Sequence, residues 1–280
     1  MTASVGTAPA DKFAQVSGLK LHYLDWGGKG RTHVLLHGIT GNAHNWDSFA
    51  PKWAQHSHVL ALDQRGHGDS DWTKEGYPVQ AFGSDLYEFA RQLNLAPFDA
   101  TGHSLGARNL IDFAGDHSDM LAHLVLSECG PELPREGARN INRRVGGRPT
   151  SFRSWEEAET YYKEAFPDWS PDRQQQTMKH ALRSNYSGKL VWKADPELFW
   201  ITGSFGLKEV PYLWAQCAKI TCKTIILHGE KSEILAAETV DRMLALMPNA
   251  TVHHFKGATH NILADAPGEY EAVIRDFLKT

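Results

Sequence analysis

Ser104 stands between two glycines in Gly102-His103-Ser104-Leu105-Gly106, and here the sequence speaks most directly of chemistry. A short strand-like run, Phe98-Asp99-Ala100-Thr101, leads into it, and a helical pattern with Leu110, Phe113 and Ala114 on one face leads out. A serine at the tip of so sharp a strand-to-helix turn is a nucleophile elbow. Side chains at Gly102 or Gly106 would collide with the neighbouring strand or helix, and the free N–H of Leu105 at the helix start can meet a developing oxyanion. Gly-x-Ser-x-Gly also occurs in ordinary turns, so catalysis requires a base, an acid and a second oxyanion donor from the rest of the chain.

A serine hydroxyl is a poor nucleophile at neutral pH, and a histidine must take its proton in the transition state. His260 follows the last strand pattern, Thr251 to Phe255, and precedes the last helix, so its loop is the one that should reach the elbow. His37 and His67 are better explained by hydrogen bonding within turns, and His103 should face the sheet. The second oxyanion donor is expected from the loop after His37-Gly38, which makes the N–H of Ile39 the candidate.

The elements that must position these residues follow from periodicity. Continuous apolar runs at Thr32–Leu36, His58–Leu62, Leu124–Leu126 and Thr224–Leu227 suit strands of a parallel sheet covered on both faces. Between them lie helical faces: Phe82, Leu86, Phe89, Ala90 and Leu93; Val240, Met243, Leu244 and Met247; Tyr270, Val273, Ile274, Phe277 and Leu278. This alternation predicts an α/β fold, a doubly wound and mostly parallel sheet whose reactive residues lie at the carboxyl ends of the strands.

Residues 131–212 break the pattern. They show no convincing buried strand, and predict an inserted helical lid between core segments 1–130 and 213–280. The lid is rich in aromatics (Trp155, Tyr161, Tyr162, Phe166, Trp169, Trp192, Phe199, Trp200), most of which should serve lid packing while together walling an apolar cleft. Its first part carries Arg135, Arg139, Arg143, Arg144, Arg148 and Arg153 against Glu136, and one or two arginines turned inward would select an anionic substrate.

The chain of 280 residues, 41% hydrophobic and 22% charged, can bury a large core, and its formal net charge of −4 gives no reason to expect nucleic acid or an anionic membrane as partner. Cys129, Cys217 and Cys222 are odd in number and lack zinc-site spacing, which suits a reducing compartment. With no basic, apolar leader at Met1–Gly6 and no long apolar segment, a cytoplasmic protein is expected, a monomer or homodimer acting on a small molecule. The 15 histidines form no His-x-x-x-His pair on a helix, so neither metal nor cofactor is expected.

The strand ending in His37-Gly38, the turn Asp63-Gln64-Arg65-Gly66-His67-Gly68, the elbow, the lid and the late His260 together resemble the α/β-hydrolase fold superfamily over nearly the whole chain. In many members the acid is an aspartate in a Gly-x-x-Asp turn after the next-to-last core strand. Here that turn reads Gly229-Glu230-Lys231-Ser232, and Ser232 is too short and uncharged for the role. Glu233, one residue on, and Glu128, ending the strand Leu124-Val125-Leu126-Ser127, are the two replacements. Glu128 is favoured, because a strand end fixes a side chain that a slipped turn would re-aim. A closer resemblance, through Gly102–Asn109, His37-Gly38-Ile39-Thr40 and Gly229–Ser232, is to the 2-(acetamidomethylene)succinate hydrolases. It too implies an acid at Glu128. It further implies a substrate carboxylate held by Arg144, while a second lid arginine of that family falls at Ala165, beside Phe166, the other candidate substrate contact.

The expectation is a cofactor-free serine hydrolase that cleaves an amide or ester of a small, carboxylate-bearing catabolic metabolite, with Ser104, His260 and Glu128 catalytic and Ile39 and Leu105 as oxyanion donors. Lactone or carbon–carbon hydrolysis passes through similar oxyanions on the same fold. Cofactor-independent ring-cleaving dioxygenases and a non-enzymatic ligand receptor are the remaining alternatives.

Overall fold

The computed structural model describes residues 8–202 and 208–279, apart from the side chains of Trp200 and Thr202. Met1–Gly6, read above for a leader, lie outside the described residues, as does the lid's 203–207 stretch.

The chain opens with an antiparallel hairpin, β1 (Ala10–Val16) and β2 (Leu19–Gly27), which the apolar runs did not reveal. β1 is mostly exposed and alternates only at its end, so it carries none of the continuous apolar signal of a central strand. Then follow β3 (Thr32–Leu36), the short helix α1 (Ala50–Trp53), β4 (His58–Leu62), α2 (Val79–Gln92), β5 (Phe98–His103), α3 (Leu105–His117) and β6 (Leu121–Ser127).

Beyond β6 the chain leaves the sheet. It forms α4 (Arg135–Gly146), α5 (Trp155–Ala165), α6 (Pro171–Ala181), a two-stranded ribbon of β7 (Leu182–Ser184) and β8 (Leu190–Trp192), and a 3-10 stretch over Pro196–Thr202. The ribbon is a strand pair that periodicity missed, because three residues are too few to establish a period of two. The core resumes with α7 (Val210–Cys217), β9 (Lys223–Gly229), α8 (Ala237–Leu246), β10 (Ala250–Phe255), the single turn α9 (Ile262–Asp265) and α10 (Pro267–Leu278).

The eight core strands lie in the order β1-β2-β4-β3-β5-β6-β9-β10, antiparallel in the first three and parallel from β4 onward. Its central strands are buried almost throughout, with one apolar cluster on each face. The chain runs from β3 to β4 on one side and then crosses back to β5 on the other, so the strand order reverses between β3 and β5. Loops at such a reversal diverge and leave a crevice at the carboxyl ends of the strands. The loops after β3 and β5 are those that carry Ile39 and Ser104.

The elbow depends on bare backbone. A Cβ on Gly102 would lie 2.4 Å from the carbonyl carbon of Gly106, and one on Gly106 would lie 2.4 Å from the carbonyl oxygen of Leu36 on β3. Since neither obstacle is a movable side chain, Gly102→Ala should lower stability by roughly 2–4 kcal/mol. Thermal unfolding should show a fall of several degrees in Tm, whereas Gly268→Ala, with open space around it, should be nearly silent.

Candidate active site

Ser104 sits at φ 53°, ψ −117°, immediately before α3, and is almost completely buried. Its N–H donates to the carbonyl of Ser127 at 2.9 Å, which ties the tip of the elbow to the end of β6. Thr40 (φ 59°) and Glu128 (φ 59°) share the left-handed conformation that side chains resist. The strained residues thus end or follow β3, β5 and β6, where backbone strain of about 1–3 kcal/mol each is held by the surrounding fold.

His260 reaches this region from β10, at the sheet edge, through a loop laid across the end of β9. A Cβ on Gly229 would stand 2.6 Å from the carbonyl oxygen of Thr259, so the loop presses directly on bare backbone there. The carbonyl of Ala258 accepts from Lys231 N–H at 2.8 Å, and Asp265 holds both the N–H and the hydroxyl of Thr259. So placed, His260 Nδ1 lies 3.2 Å from Oε2 of Glu128.

Glu128 is wholly buried. Gly229 N–H donates to its Oε1 at 2.5 Å, and the Ser232 hydroxyl donates to Oε2, the same oxygen that meets His260. Ser232 Oγ in turn accepts from the N–H groups of Ile234 and Leu235. Ser232 is therefore no bystander: standing where many relatives of the fold carry their acid, it orients the carboxylate that reaches His260. Glu233 turns away and accepts from Asn140 Nδ2 at 2.9 Å, outside the His260 contact. No arginine pairs with Glu128 among the described residues, so binding a lid cation does not explain its burial.

Four imidazoles gather here, and burial disfavours the cation in each. It pulls His37 below its ordinary value and takes His67 and His103 to about 3. Burial, aided by the nearby cation of Arg144, brings His260 to about 4, so it is a free base at neutral pH. Burial raises the Glu128 carboxyl, against the pull of its Gly229 and Ser232 donors. His37 and His67 donate from Nδ1 to backbone carbonyls, of Gly38 at 2.8 Å and of Arg65 at 2.9 Å, as turn residues would. His103 does not simply face the sheet: its ring lies 4.7 Å from that of His260, because the residue before Ser104 ends a strand adjoining the His260 loop.

The loop that bears Ile39 is held by a network that sequence reasoning missed. Gln64 N–H donates to His37 Nε2 at 3.1 Å, Gln64 Nε2 donates to the His37 carbonyl at 2.7 Å, and Asn109 of α3 donates to Gln64 Oε1 at 2.7 Å. Asp63 accepts from Ala43 N–H at 2.6 Å and from His22, and Arg65 forks onto Asp85 with two 2.6 Å bonds. The turn Asp63–Gly68 thereby fixes the loop bearing Ile39. Ile39 and Leu105 pack in one small apolar cluster with Tyr77, Phe82 and Leu198. Gly38 is so near the nucleophile that a Cβ there would lie 3.3 Å from that of Ser104.

The lid aromatics mainly pack on one another. Phe166 stacks on Trp169 at 4.2 Å and touches Tyr162, within a cluster that includes Phe152 and Trp192, so the structure does not bring Phe166 to the other candidates. Trp155 is exposed, and the Trp200 side chain lies outside the described residues. Arg144, in the last turn of α4, is exposed to solvent while its charge reaches His260. Among the described residues, two side-chain groups could approach a metal: His44, Asp47 and His180, and His22, Asp63 and Asp69. In the second, buried His22 and Asp63 bond to each other while Asp69 is exposed; the first joins the loop after β3 to α6, where His44 and His180 stack at 3.5 Å.

A crossover sheet, an elbow at the strand reversal and an acid-bound late histidine are features of one architecture. The model of the alpha/beta hydrolase family matches residues 34–273, and the chain belongs to that family. The chain is 24% identical, over 90% of its length and 89% of the relative's, to 2-(acetamidomethylene)succinate hydrolase of Mesorhizobium japonicum. It is 26% identical, over 94% and 96% respectively, to the non-heme chloroperoxidase CPO-A1 of Kitasatospora aureofaciens. Among solved structures, E-2-(acetamidomethylene)succinate hydrolase superposes with a TM-score of 0.86 at 22% identity, covering 97% of this chain and all of that one. No helix among the described residues is long and apolar enough to cross a membrane.

The depressed basicity of His260 gives a signed expectation. Since only the neutral imidazole can accept a proton, kcat/KM should fall on acidification with a midpoint well below 6.5, near 4. Arg144→Met removes a cation that disfavours imidazolium, so the acid limb should move to higher pH; a pH–rate profile reads both.

Proposed function

We propose that this chain is a serine hydrolase that cleaves an amide or ester bond of a small, carboxylate-bearing metabolite through an acyl-enzyme. The observation that carries the reading is the 3.2 Å contact between His260 Nδ1 and the buried Glu128 carboxylate, on loops that converge with the elbow of Ser104. In this reading Ser104 Oγ attacks the carbonyl carbon while His260 Nε2 takes its proton, and the Ile39 and Leu105 N–H groups receive the negative charge that develops on oxygen. His260 then returns the proton to the departing amine or alcohol. Water, deprotonated by the same imidazole, releases the acid and restores the serine.

Glu128 fixes the Nδ1–H tautomer and stabilises the imidazolium formed in each half-reaction. Residues 131–212 act as the cap over this site, and Arg144 sets a positive charge at its edge. The relative from Mesorhizobium, whose substrate name carries both an acetamide and a succinate, supports a substrate of this kind. The three free, buried cysteines suit a cytoplasmic setting.

Ser104→Ala should abolish hydrolysis of activated esters such as p-nitrophenyl acetate while leaving the fold intact, and a fluorophosphonate should label only Ser104. Label elsewhere, or near-normal turnover, would end the reading.

The acid should show a graded response. Glu128→Gln keeps the shape but loses the charge, and should cost on the order of 10²–10⁴ in kcat, the upper figure being that of the serine-protease aspartate. Ser232→Ala removes one donor from the same carboxylate and should cost roughly tenfold, the scale of a hydrogen bond to a charged group. Glu233→Gln should cost less than about twofold, within the scatter of surface substitutions. Steady-state kinetics on one neutral ester distinguishes the three.

A further inference from the structure

Of the six arginines that make the start of the cap basic, five are exposed and Arg148 alone is withdrawn from solvent. Its Nε is shut off from solvent without a hydrogen-bond partner, and no carboxylate forms an ion pair with it among the described residues. The guanidinium lies over the ring of Trp192 at 4.7 Å, and Trp192 is itself fixed by donating from Nε1 to the Pro149 carbonyl at 2.7 Å. The Tyr161 hydroxyl is its other neighbour, with Tyr162 close by. A guanidinium taken from water and given aromatic faces but no anion carries a desolvation cost that the protein does not offset by itself.

The charge of this cation reaches the candidate site. Arg148 acts on His67, whose ring lies 4.8 Å from that of His37 at the base of the oxyanion loop. It also acts on Arg144, whose charge reaches His260. The strand that carries Trp192 runs on to Asp195, whose N–H donates to the Gly66 carbonyl beside His67 at 2.8 Å, so the Arg148–Trp192 pair adjoins the turn that holds the Ile39 loop, while Arg144 is exposed.

Resting on the hydrolase reading and deepening it, we infer that Arg148 is the substrate-anion anchor: it binds a carboxylate of the substrate inside the cap, with Trp192 and Tyr161 holding the guanidinium plane. A carboxylate satisfies the orphaned Nε–H and one terminal N–H in a fork, which neither a neutral ester nor the aromatic walls can do. The role expected from Arg144 falls in this way to the arginine one turn further along the chain, and Arg144 contributes its charge without being the anchor.

The experiment measures kcat/KM for p-nitrophenyl hydrogen succinate and for p-nitrophenyl butyrate. Arg148→Met should lower the acidic-to-neutral ratio at least tenfold, Arg148→Lys by less, and Arg144→Met by no more than about threefold. In the Ser104→Ala protein, calorimetry should show succinate binding at least tenfold more tightly than succinamide, and Arg148→Met in that background should remove the difference. Because a half-buried cation with an orphaned Nε and no carboxylate partner is lost, the Tm of Arg148→Met should not fall.

A ratio within twofold of the parent's, a larger effect from Arg144→Met, or a drop in Tm with the ratio unchanged would overturn the assignment. Should Arg148→Met fail to fold, Arg148→Lys and the succinate–succinamide comparison decide, and equal binding of the two overturns it. Failure of the hydrolase reading shows separately, as turnover that survives Ser104→Ala.

Discussion

The reversal of the chain at Ser104 is the constraint on which the rest of the site depends. β5 must end, turn and re-enter as α3 within one residue, and the helix then runs so close to β3 that only Gly106 fits beneath the Leu36 carbonyl. A left-handed serine is costly in isolation, and the hydrogen bond from Ser104 N–H to Ser127 helps hold it. The same close approach delivers Asn109 of α3 to Gln64, and so couples the nucleophile's helix to the loop of Ile39. Elbow and Ile39 loop are therefore one packed unit, not two loops that happen to meet.

The electrostatics divides the labour between histidines and arginines. Burial keeps His37, His67, His103 and His260 neutral, so the positive charge near the site comes from Arg144 and Arg148. Neutral imidazoles suit a general base, and permanent guanidinium charges suit anion recognition, because titration cannot remove them. Glu128 is a wholly buried carboxylate beside His260, sustained by a backbone N–H and by Ser232.

The cap shows how a composition signal can be right in kind and misplaced in detail. Its aromatics were expected partly as cleft walls, yet Phe152, Tyr162, Phe166, Trp169 and Trp192 largely form a small core of the cap's own. A segment of that size has few aliphatic side chains, and large rings are an efficient way to bury area within it. Trp192 does both jobs, closing that cluster on one side and carrying Arg148 on the other.

The sequence by itself determined the elbow, the parallel strands and the late histidine, because each is a local signal. Glycines at fixed offsets, apolar runs bounded by turns, and helical periods all act within a dozen residues. The resemblance to the hydrolase superfamily, read on the turn Gly229–Ser232 and the strand ending at Ser127, narrowed the acid to Glu128 or Glu233. The β1–β2 hairpin at the sheet edge and the three-residue strands of the cap escaped, being half-exposed or too short to show a period. Only the tertiary structure decided that Glu128 reaches His260 while Glu233 pairs with Asn140, that Ser232 donates to the Glu128 carboxylate, that Gln64 and Asn109 hold the loop of Ile39, and that Arg148 is half-buried where Arg144 is exposed. These partners lie tens to more than a hundred residues apart, or differ by one turn of the same basic segment. Side-chain type and spacing leave such choices degenerate, and the packing of the loops around one sharp turn resolves them.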